Sequence, residues 1–466
     1  MELDTEICRR ARISRDARFD GRFFVGVTST GIYCRPVCPA PQALENNVQY
    51  FPTAAAAAGS GLRPCLRCRP EVSPGTPAWN GVSTTVARGL RLIGEGALDE
   101  DSVEGLAARL GIGSRHLRRL FLEHLGATPV AIAQARRLQF AKRLIDETAM
   151  PLTEVALAAG FGSIRRFNAT IEDAYRRTPR ELRRLAGTPA AAQPGEHVLH
   201  LHFRPPLDWT ALLDFMRIRA ISPIEEVSAD CYRRRFFWNG IYGKLEARLA
   251  GNAVRLAVTY PDARALLAIT ERVRRMFDLD ADPAVIAAQL QVDPALEKRI
   301  RKRPGLRIPG AWDVWEAGVR AIAGQQVSVR AATTIAARLV ARFGDGCRFP
   351  PPLALAEADI EAAGVPGKRA GTIRRFAASA LSGAVCLSQG AEPEAFRRSL
   401  TAISGIGEWT AQYVSLRALG DPDAFPAGDL GLRKALGCDP REMKSRSEAW
   451  RPWRAYAAMY LWQVEA

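Results

Sequence analysis

Between Phe396 and Leu416 two apolar repeats of helical period are interrupted by a stretch that holds two glycines, Gly405 and Gly407. Phe396, Leu400 and Ile403 recur before it, and Trp409, Ala411, Tyr413 and Leu416 recur less regularly after it. A turn this tight needs positions without a Cβ, so the stretch commits the region to two short helices joined by a glycine hairpin. The first N–H groups of the second helix have no partner within it and can hold a phosphate oxygen. Asp429 follows, just beyond Pro426 and Gly428, in a mostly apolar segment.

A chain of 466 residues is too long for one ordinary core and divides into three or four domains. Its formal charge is +16, carried mainly by arginine, whose fork suits bidentate phosphate contact. A nucleic-acid partner follows from this, although an arginine- and alanine-rich chain from a GC-rich genome would also be basic. Met1–Asp20 carries acids and arginines where a secretory signal would be apolar, and no run approaches about eighteen uncharged apolar residues. Nine cysteines in so long a chain do not make a disulfide scaffold. The expected location is a reducing bacterial cytoplasm, nucleoid-associated when bound, with no membrane and no obligate protein partner.

Four of the cysteines are clustered. Cys34 and Cys38 form C-x3-C, and after a spacer of 26 residues Cys65 and Cys68 form C-x2-C. Two knuckles stiffened by Pro36 and Pro64 are what a tetrahedral zinc site requires. Such a site can be purely structural. A zinc-held thiolate also stays deprotonated and can act as a nucleophile. The run T-S-T-G-I-Y-C-R-P-V-C and the later R-P-C-L-R-C resemble the methylphosphotriester-repair domain of Ada-type proteins. By that resemblance Cys34 is the methyl acceptor, and Cys34, Cys38, Cys65 and Cys68 bind Zn(2+). Residues 1–79 form this domain, with a short helix over Pro52–Gly61 connecting the knuckles.

Residues 80–187 show only helical patterns. Ser102–Ile112 has the small alanine, turn glycine and following apolar residue of a helix-turn-helix, and the next helix carries Arg115, Arg118 and Arg119. The arrangement returns at Leu152–Phe161, followed by Arg165 and Arg166, after a connecting helix over Val130–Ile145. This block resembles the DNA-binding domain of AraC-type regulators, whose two units enter successive major grooves. Phe161, Phe167, Tyr175 and Pro179 match that family's framework, while the acids of Ile171-Glu172-Asp173 depart from its usual basic patch. A helical spacer between repair domains is the other reading.

Gly187–Glu196 reads as a linker. Beyond it, His197–Phe203 alternates as a strand whose three histidines face solvent. Trp209–Met216 and Ala263–Phe277 read as helices, and Glu226–Trp238 and Val254–Thr259 as strands set off by turns at Asn239-Gly240 and Gly251-Asn252. Residues 197–281 are thus an α+β unit, and 282–466 are helical throughout.

Asp429 can open a helix as its N-cap. Beside a hairpin that holds a DNA strand it can also stabilise positive charge on a sugar whose base is leaving. Such a base must first be flipped into a pocket, for which Trp409, Tyr413 and Trp462 are candidate walls. The segments I-A-G-Q-Q-V-S-V, I-S-G-I-G-E-W-T-A-Q-Y, F-P-A-G-D-L-G-L and W-R-P-W-R-A-Y resemble 3-methyladenine DNA glycosylase II of the helix-hairpin-helix superfamily. The resemblance implies Asp429 as the catalytic carboxylate, Trp409, Tyr413 and Trp462 as the base pocket, and Gly405, Gly407 and Thr410 as the backbone-holding hairpin. It puts Gln326 where relatives fill the vacated stack, and allows a monovalent cation on the hairpin carbonyls. Trp409 stands where backbone-cutting relatives carry a Schiff-base lysine, which implies a monofunctional glycosylase. There is no P-C-H-R segment, so direct repair of O6-methylguanine is not expected.

The fold expected is multidomain: a small zinc-bound α+β domain, an all-α double helix-turn-helix domain, an α+β domain and an all-α helix-hairpin-helix domain. Its partners are duplex DNA with alkylated bases or methylphosphotriesters, promoter DNA and RNA polymerase. The competing reading is a sequence-specific transcriptional regulator that senses methylation damage with an idle glycosylase fold.

Overall fold

The computed structural model describes residues 4–75, 84–99, 101–187, 195–388 and 390–463. Most of the linker read at Gly187–Glu196 and the boundary between 79 and 80 lie outside the described residues. The chain forms two compact units. One comprises Met1–Pro205, Ala250–Glu271 and Leu279–Asp282, the other Pro206–Leu249, Arg272–Asp278 and Pro283–Ala466. The strands are β1 (Phe24–Val27), β2 (Ile32–Cys34), β3 (Val48–Phe51), β4 (Arg63–Pro64), β5 (Glu196–His202), β6 (Glu225–Val227), β7 (Cys231–Trp238), β8 (Ile241–Ala250) and β9 (Ala253–Thr259).

In the first unit β1 lies between β3 and β2, antiparallel to both, and β2 runs parallel to β4. Period-two alternation sends Phe23 and Val25 against Cys8 and Ala11 of the helix Thr5–Ser14, and Phe24 with Tyr33 against Ala54 and Ala57. The helix Ala54–Gly59 falls within the Pro52–Gly61 stretch read from sequence. Because β2 and β4 are neighbours, the cysteine that ends β2 and the one that follows β4 are brought side by side, with Cys65 N donating to Tyr33 O at 3.0 Å.

The helical part of this unit repeats one device. Val103–Leu110 ends at left-handed Gly111 and is followed by Ser114–Leu125; Leu152–Ala158 precedes left-handed Gly160 and is followed by Ile164–Tyr175. Only glycine enters that conformation without strain from a Cβ, which is why each turn carries one. Ser102 and Ser163 cap the helices they precede, accepting from Gly105 N at 3.1 Å and Arg166 N at 3.2 Å. Leu106, Leu117 and Phe121 pack the first repeat. In the second, Phe161 meets Phe167 edge to face with centroids 5.5 Å apart. The helix Pro129–Glu147 joins the two. Its buried Lys142 bonds to Asp146 at 2.5 Å and reaches Glu71 at 3.4 Å, while Arg69, next to Cys68, bridges to Asp146 at 2.9 Å. Strand β5 pairs antiparallel with β9 from Glu196↔Thr259 to His202↔Ala253. Its histidines do not all face solvent as expected: His197 is half-buried, and His200 lies with Nδ1 3.5 Å from Glu147.

In the second unit β6, β7 and β8 form an antiparallel meander. Two corrections to the reading arise here. The segment read as one strand over Glu226–Trp238 is broken, because Ser228 N folds back to Cys231 O at 2.9 Å and Ser228 Oγ donates to Asp230 at 2.9 Å. The stretch between the two turns, not assigned from sequence, is the strand β8, in which Lys244, Glu246 and Arg248 alternate with Leu245, Ala247 and Leu249 and Glu246 pairs across to Arg233 of β7 at 2.7 Å.

Helices supply the rest of this unit, around a core that includes Val314, Ile322, Leu339, Ile373, Phe376, Leu400 and Val414. Against them Arg234 of β7 and Arg320 form a buried network with Glu225 and Glu316: Arg320 reaches Glu225 and Glu316 at 2.8 Å each, Arg234 reaches Glu225 at 3.1 Å, and Arg234 also pairs with Glu316. Breaking a buried pair strands its partner, at about 3–5 kcal/mol. Arg234→Met should therefore lower the melting temperature by on the order of 10 °C. A melt within about 2 °C of the parent would deny the network that weight. Among the described residues no helix is long and apolar enough to cross a membrane.

Candidate active site and metal centre

In the first unit the Sγ atoms of Cys34, Cys38, Cys65 and Cys68 all lie within 4.8 Å of one another. A tetrahedron of thiolates about 2.3 Å from a zinc ion has sulfur edges of about 3.8 Å, so the four residues fit the metal. Mutual bonding splits their titration: the contact with Cys34 holds Cys38 down at about 7 and drives Cys68 upward. Around them Arg35 N donates to Cys68 Sγ at 3.3 Å, and the Arg35 side chain donates to Cys68 O at 3.0 Å and to Asp20 at 2.9 Å. Cys65 and Cys68 are buried while Cys34 and Cys38 are half-buried. Elsewhere in this unit Arg115, Arg118, Arg119, Arg165 and Arg166 are all exposed.

The second unit contains a cavity of about 1280 Å³ whose lining includes Gln326, Gly405, Trp409, Tyr413, Asp429 and Trp462. Asp429 is the N-cap of the helix Leu430–Leu436, as one reading of it held. The cap uses only part of its capacity. Oδ1 accepts from Leu432 N at 3.1 Å and from Trp462 Nε1 at 2.9 Å, while Oδ2 accepts from Trp409 Nε1 at 2.8 Å. Donors on both oxygens fix the carboxylate plane. Trp409 and Tyr413 are stacked, with centroids 5.2 Å apart and planes 8° from parallel, and Trp462 meets Tyr413 at 64°. The stacked rings cover one face of each other, and Arg417 Cζ lies over the Tyr413 ring, 5.7 Å from its centroid.

The hairpin joins the helices Pro393–Thr401 and Glu408–Val414. Ile403 and Ile406 are buried and anchor it, each contributing about 2 kcal/mol of apolar burial. Its carbonyls are buttressed from outside: Arg375 donates to Ser404 O from Nε at 3.0 Å and from Nη2 at 2.8 Å, and Gln325 Nε2 donates to Gly405 O and Thr410 Oγ1, both at 3.0 Å. Thr410 is therefore buried with its hydroxyl engaged, and a DNA strand could meet only its backbone. Gln326 is exposed beside it with φ of 54°, a left-handed conformation that a glutamine adopts at a cost of about 1–3 kcal/mol.

The glycines are not equivalent, contrary to the expectation that both are needed. Gly405 has φ of 96°, and a Cβ there would lie 2.0 Å from Thr372 Oγ1; at Gly407 a Cβ would meet nothing within 4 Å. Gly405→Ala should cost about 1–3 kcal/mol and weaken duplex binding. Gly407→Ala should cost under about 1 kcal/mol. Denaturant melts of the two variants check this, and equal losses would remove the distinction. Phe215, Arg219 and Arg417 also line the cavity and had no signal in the sequence, and Gln325 lies in the I-A-G-Q-Q-V-S-V segment without having been singled out there.

Four families match the chain in succession. The metal binding domain of Ada covers residues 7–71, a helix-turn-helix domain 106–185, the AlkA N-terminal domain 198–313 and the HhH-GPD superfamily of base excision DNA repair proteins 319–454. A Mycobacterium tuberculosis protein described as "Probable bifunctional transcriptional activator/DNA repair enzyme AlkA" is 44% identical, covering 99% of this chain and 97% of that protein. DNA-3-methyladenine glycosylase 2 of Escherichia coli is 34% identical over 57% of this chain and 96% of its own length. The solved 3-methyladenine DNA-glycosylase of Archaeoglobus fulgidus shares the fold, with a TM-score of 0.50 and 21% identity over 56% of this chain and 97% of that one. With a metal-fitting cysteine cluster, two helix-turn-helix units and a glycine hairpin in one polypeptide, aligned end to end with the mycobacterial protein, the chain belongs to the family of AlkA-type bifunctional transcriptional activator/DNA repair enzymes.

Proposed function

We propose that this chain is a monofunctional glycosylase that hydrolyses the N-glycosidic bond of alkylated purines such as 3-methyladenine, and that it also takes methyl groups from DNA phosphotriesters onto Cys34. The observation that carries the first part is Asp429, held by two indole N–H groups and a backbone N–H at the wall of an aromatic cavity that the hairpin also lines. The hairpin holds the strand, Gln326 fills the place of the flipped nucleotide, and the base enters the cavity. As the C1′–N bond breaks, its electron pair leaves with the base and positive charge grows on the sugar. The Asp429 carboxylate stabilises that charge, and water adds at C1′, losing a proton to solvent as the C1′–OH bond forms. Both carboxylate oxygens already accept hydrogen bonds, which supports a group held in one orientation at the cavity wall.

In the metal domain Cys34, Cys38, Cys65 and Cys68 would hold the zinc, which would keep their sulfurs in the nucleophilic thiolate form. The Cys34 sulfur attacks the methyl carbon of the triester, an S–CH3 bond forms, the C–O bond breaks, and its electrons remain on the phosphodiester. The site thereby loses one negative charge, so it approaches DNA more readily, and methylated Cys34 is the trigger for promoter binding through Arg115, Arg118, Arg119, Arg165 and Arg166. RNA polymerase as partner, a bacterial cytoplasmic location and domain limits at 1–79, 80–187, 197–281 and 282–466 belong to the same reading. A monovalent cation on the hairpin would need carbonyls other than that of Ser404, which already accepts twice from Arg375, whereas Gly405 O accepts once.

The test is release of free methylpurine from methylated duplex DNA, with intact mass of the protein in parallel. Expected are a free base and a gain of one methyl group on Cys34. Binding without base release would leave the regulator with an idle glycosylase fold as the better description.

A further inference from the structure

The loop 324–328 joins the helices Val314–Ala323 and Val329–Phe343 and is anchored at both ends and in its middle. At its start Arg369 Nη1 donates to Ala323 O at 3.0 Å, and at its end Ser328 caps the next helix by accepting from Ala331 N at 3.2 Å. Between these anchors Gln325 Nε2 is committed to the hairpin, 80 residues further along the chain, donating to Gly405 O and to Thr410 Oγ1 at 3.0 Å each. Gln326 follows at once, exposed and in the left-handed region. Gln325, Gln326, Gly405 and Thr410 all line the cavity.

A left-handed backbone at a residue with a Cβ persists only where its surroundings over-determine it. Here the surroundings are the anchors on either side, and the nearest to Gln326 is the Gln325 amide. The hairpin end of that link is itself held: Arg375 donates to Ser404 O from two nitrogens, and Thr372 lies so close to Gly405 that a Cβ there would be 2.0 Å from Thr372 Oγ1. Loop tip and hairpin are therefore joined as one mechanical piece. A nucleotide stays out of the duplex only while the strand beside it is gripped and the vacated stack is filled, and extrusion costs least where the base is already poorly paired. A tip free to slide against the hairpin would let the base return before its bond breaks.

We propose that Gln325 is a positioning residue whose two hydrogen bonds fix the distance between the strand-holding hairpin and Gln326, so that gripping the strand and filling the stack become one event. The proposal rests on the glycosylase reading, in which Gln326 takes the place of the flipped nucleotide, and adds the residue that keeps it there. Gln325 acts through Gln326 and touches no reacting atom. Its loss is felt in extrusion of the base, not in the bond-breaking step at Asp429.

The probe is a single 7-methylguanine placed opposite cytosine in one duplex and opposite thymine in another, with release by the full chain followed in single turnover. Gln325→Met keeps the length of the side chain and deletes both donors. Gln325→Glu also loses the donor to Gly405 O but can still accept from the Thr410 hydroxyl, and it carries the test if the methionine variant does not fold. Release opposite cytosine should slow by about tenfold or more in either variant, and release opposite thymine by under about threefold, because a mispaired base is extruded more easily. Gln326→Ala should show the same dependence on the opposite base, and adding Gln325→Met to it should slow release by under about twofold more, the non-additivity expected of residues that act as one. Equal slowing on the two duplexes, no slowing on either, or losses that multiply in the double variant would reduce Gln325 to a packing contact and overturn the proposal alone. Release from neither duplex by the parent protein would overturn the glycosylase reading with it.

Discussion

Asp429→Asn is expected to slow release of methylated purines by about 10²–10³-fold or more while duplex binding is retained. The substitution is chosen because it isolates charge. An asparagine oxygen still accepts from Leu432 N, so the helix Leu430–Leu436 keeps its cap, and asparagine is as good a cap as aspartate. The amide nitrogen, however, must now face one of the two indole donors. With the oxygen kept toward Leu432 and Trp462, the –NH2 group points at Trp409 Nε1, donor against donor, so one indole loses its partner. A stability loss of about 1–3 kcal/mol should accompany the kinetic one, and Trp409→Phe should reproduce the kinetic part only weakly. Single-turnover base release and a denaturant melt on the same preparation separate the two effects. Unchanged release in a folded Asp429→Asn protein would falsify the carboxylate's role.

Zinc removal should produce the other large change. The part of the chain from Thr5 to Val72 has two small apolar clusters, one around Phe23 and Val25 and one around Phe24 and Tyr33. A segment of this size seldom holds itself together by burial alone. Zinc binding in small metal domains is worth about 10–16 kcal/mol, comparable with the whole stability of an ordinary domain. Chelation, or replacement of Cys38 or Cys65 by alanine, should therefore abolish amide protection in β1 and β2 and eliminate the expected single equivalent of bound zinc. Protection in the helix Pro129–Glu147 should decline less, because Leu144 and Ile145 are fully buried. Persistent protection of β1 in metal-free protein would show that the metal is not what holds this sheet.

The features legible in the sequence share a property: each is written within about a dozen consecutive residues. The cysteine knuckles, the turn glycines Gly111 and Gly160, and the Ile403–Tyr413 hairpin all combine a local period with a residue type that only one backbone geometry accommodates. Strand β8 carries the same kind of local signal, Lys244, Glu246 and Arg248 alternating with Leu245, Ala247 and Leu249, and the sequence reading passed over it. For the histidines of β5 the signal was also local: His197 shares its face with buried Leu199 and Leu201, while His200 stays partly exposed beside Glu147.

By itself the sequence determined the order of the four matched segments, the metal ligands as a set, the hairpin and the aspartate beyond it. Tertiary structure alone decided what those residues can do to a ligand: that both oxygens of Asp429 are occupied by indoles from two helices, that Gly405 and not Gly407 is sterically required, and that Arg417 donates to Tyr413 Oη. Helical period and turn chemistry are short-range and leave a spacing to read. The hydrogen-bond partners of a cavity wall come from segments far apart in the chain, brought together by the burial of the core, and no spacing records them.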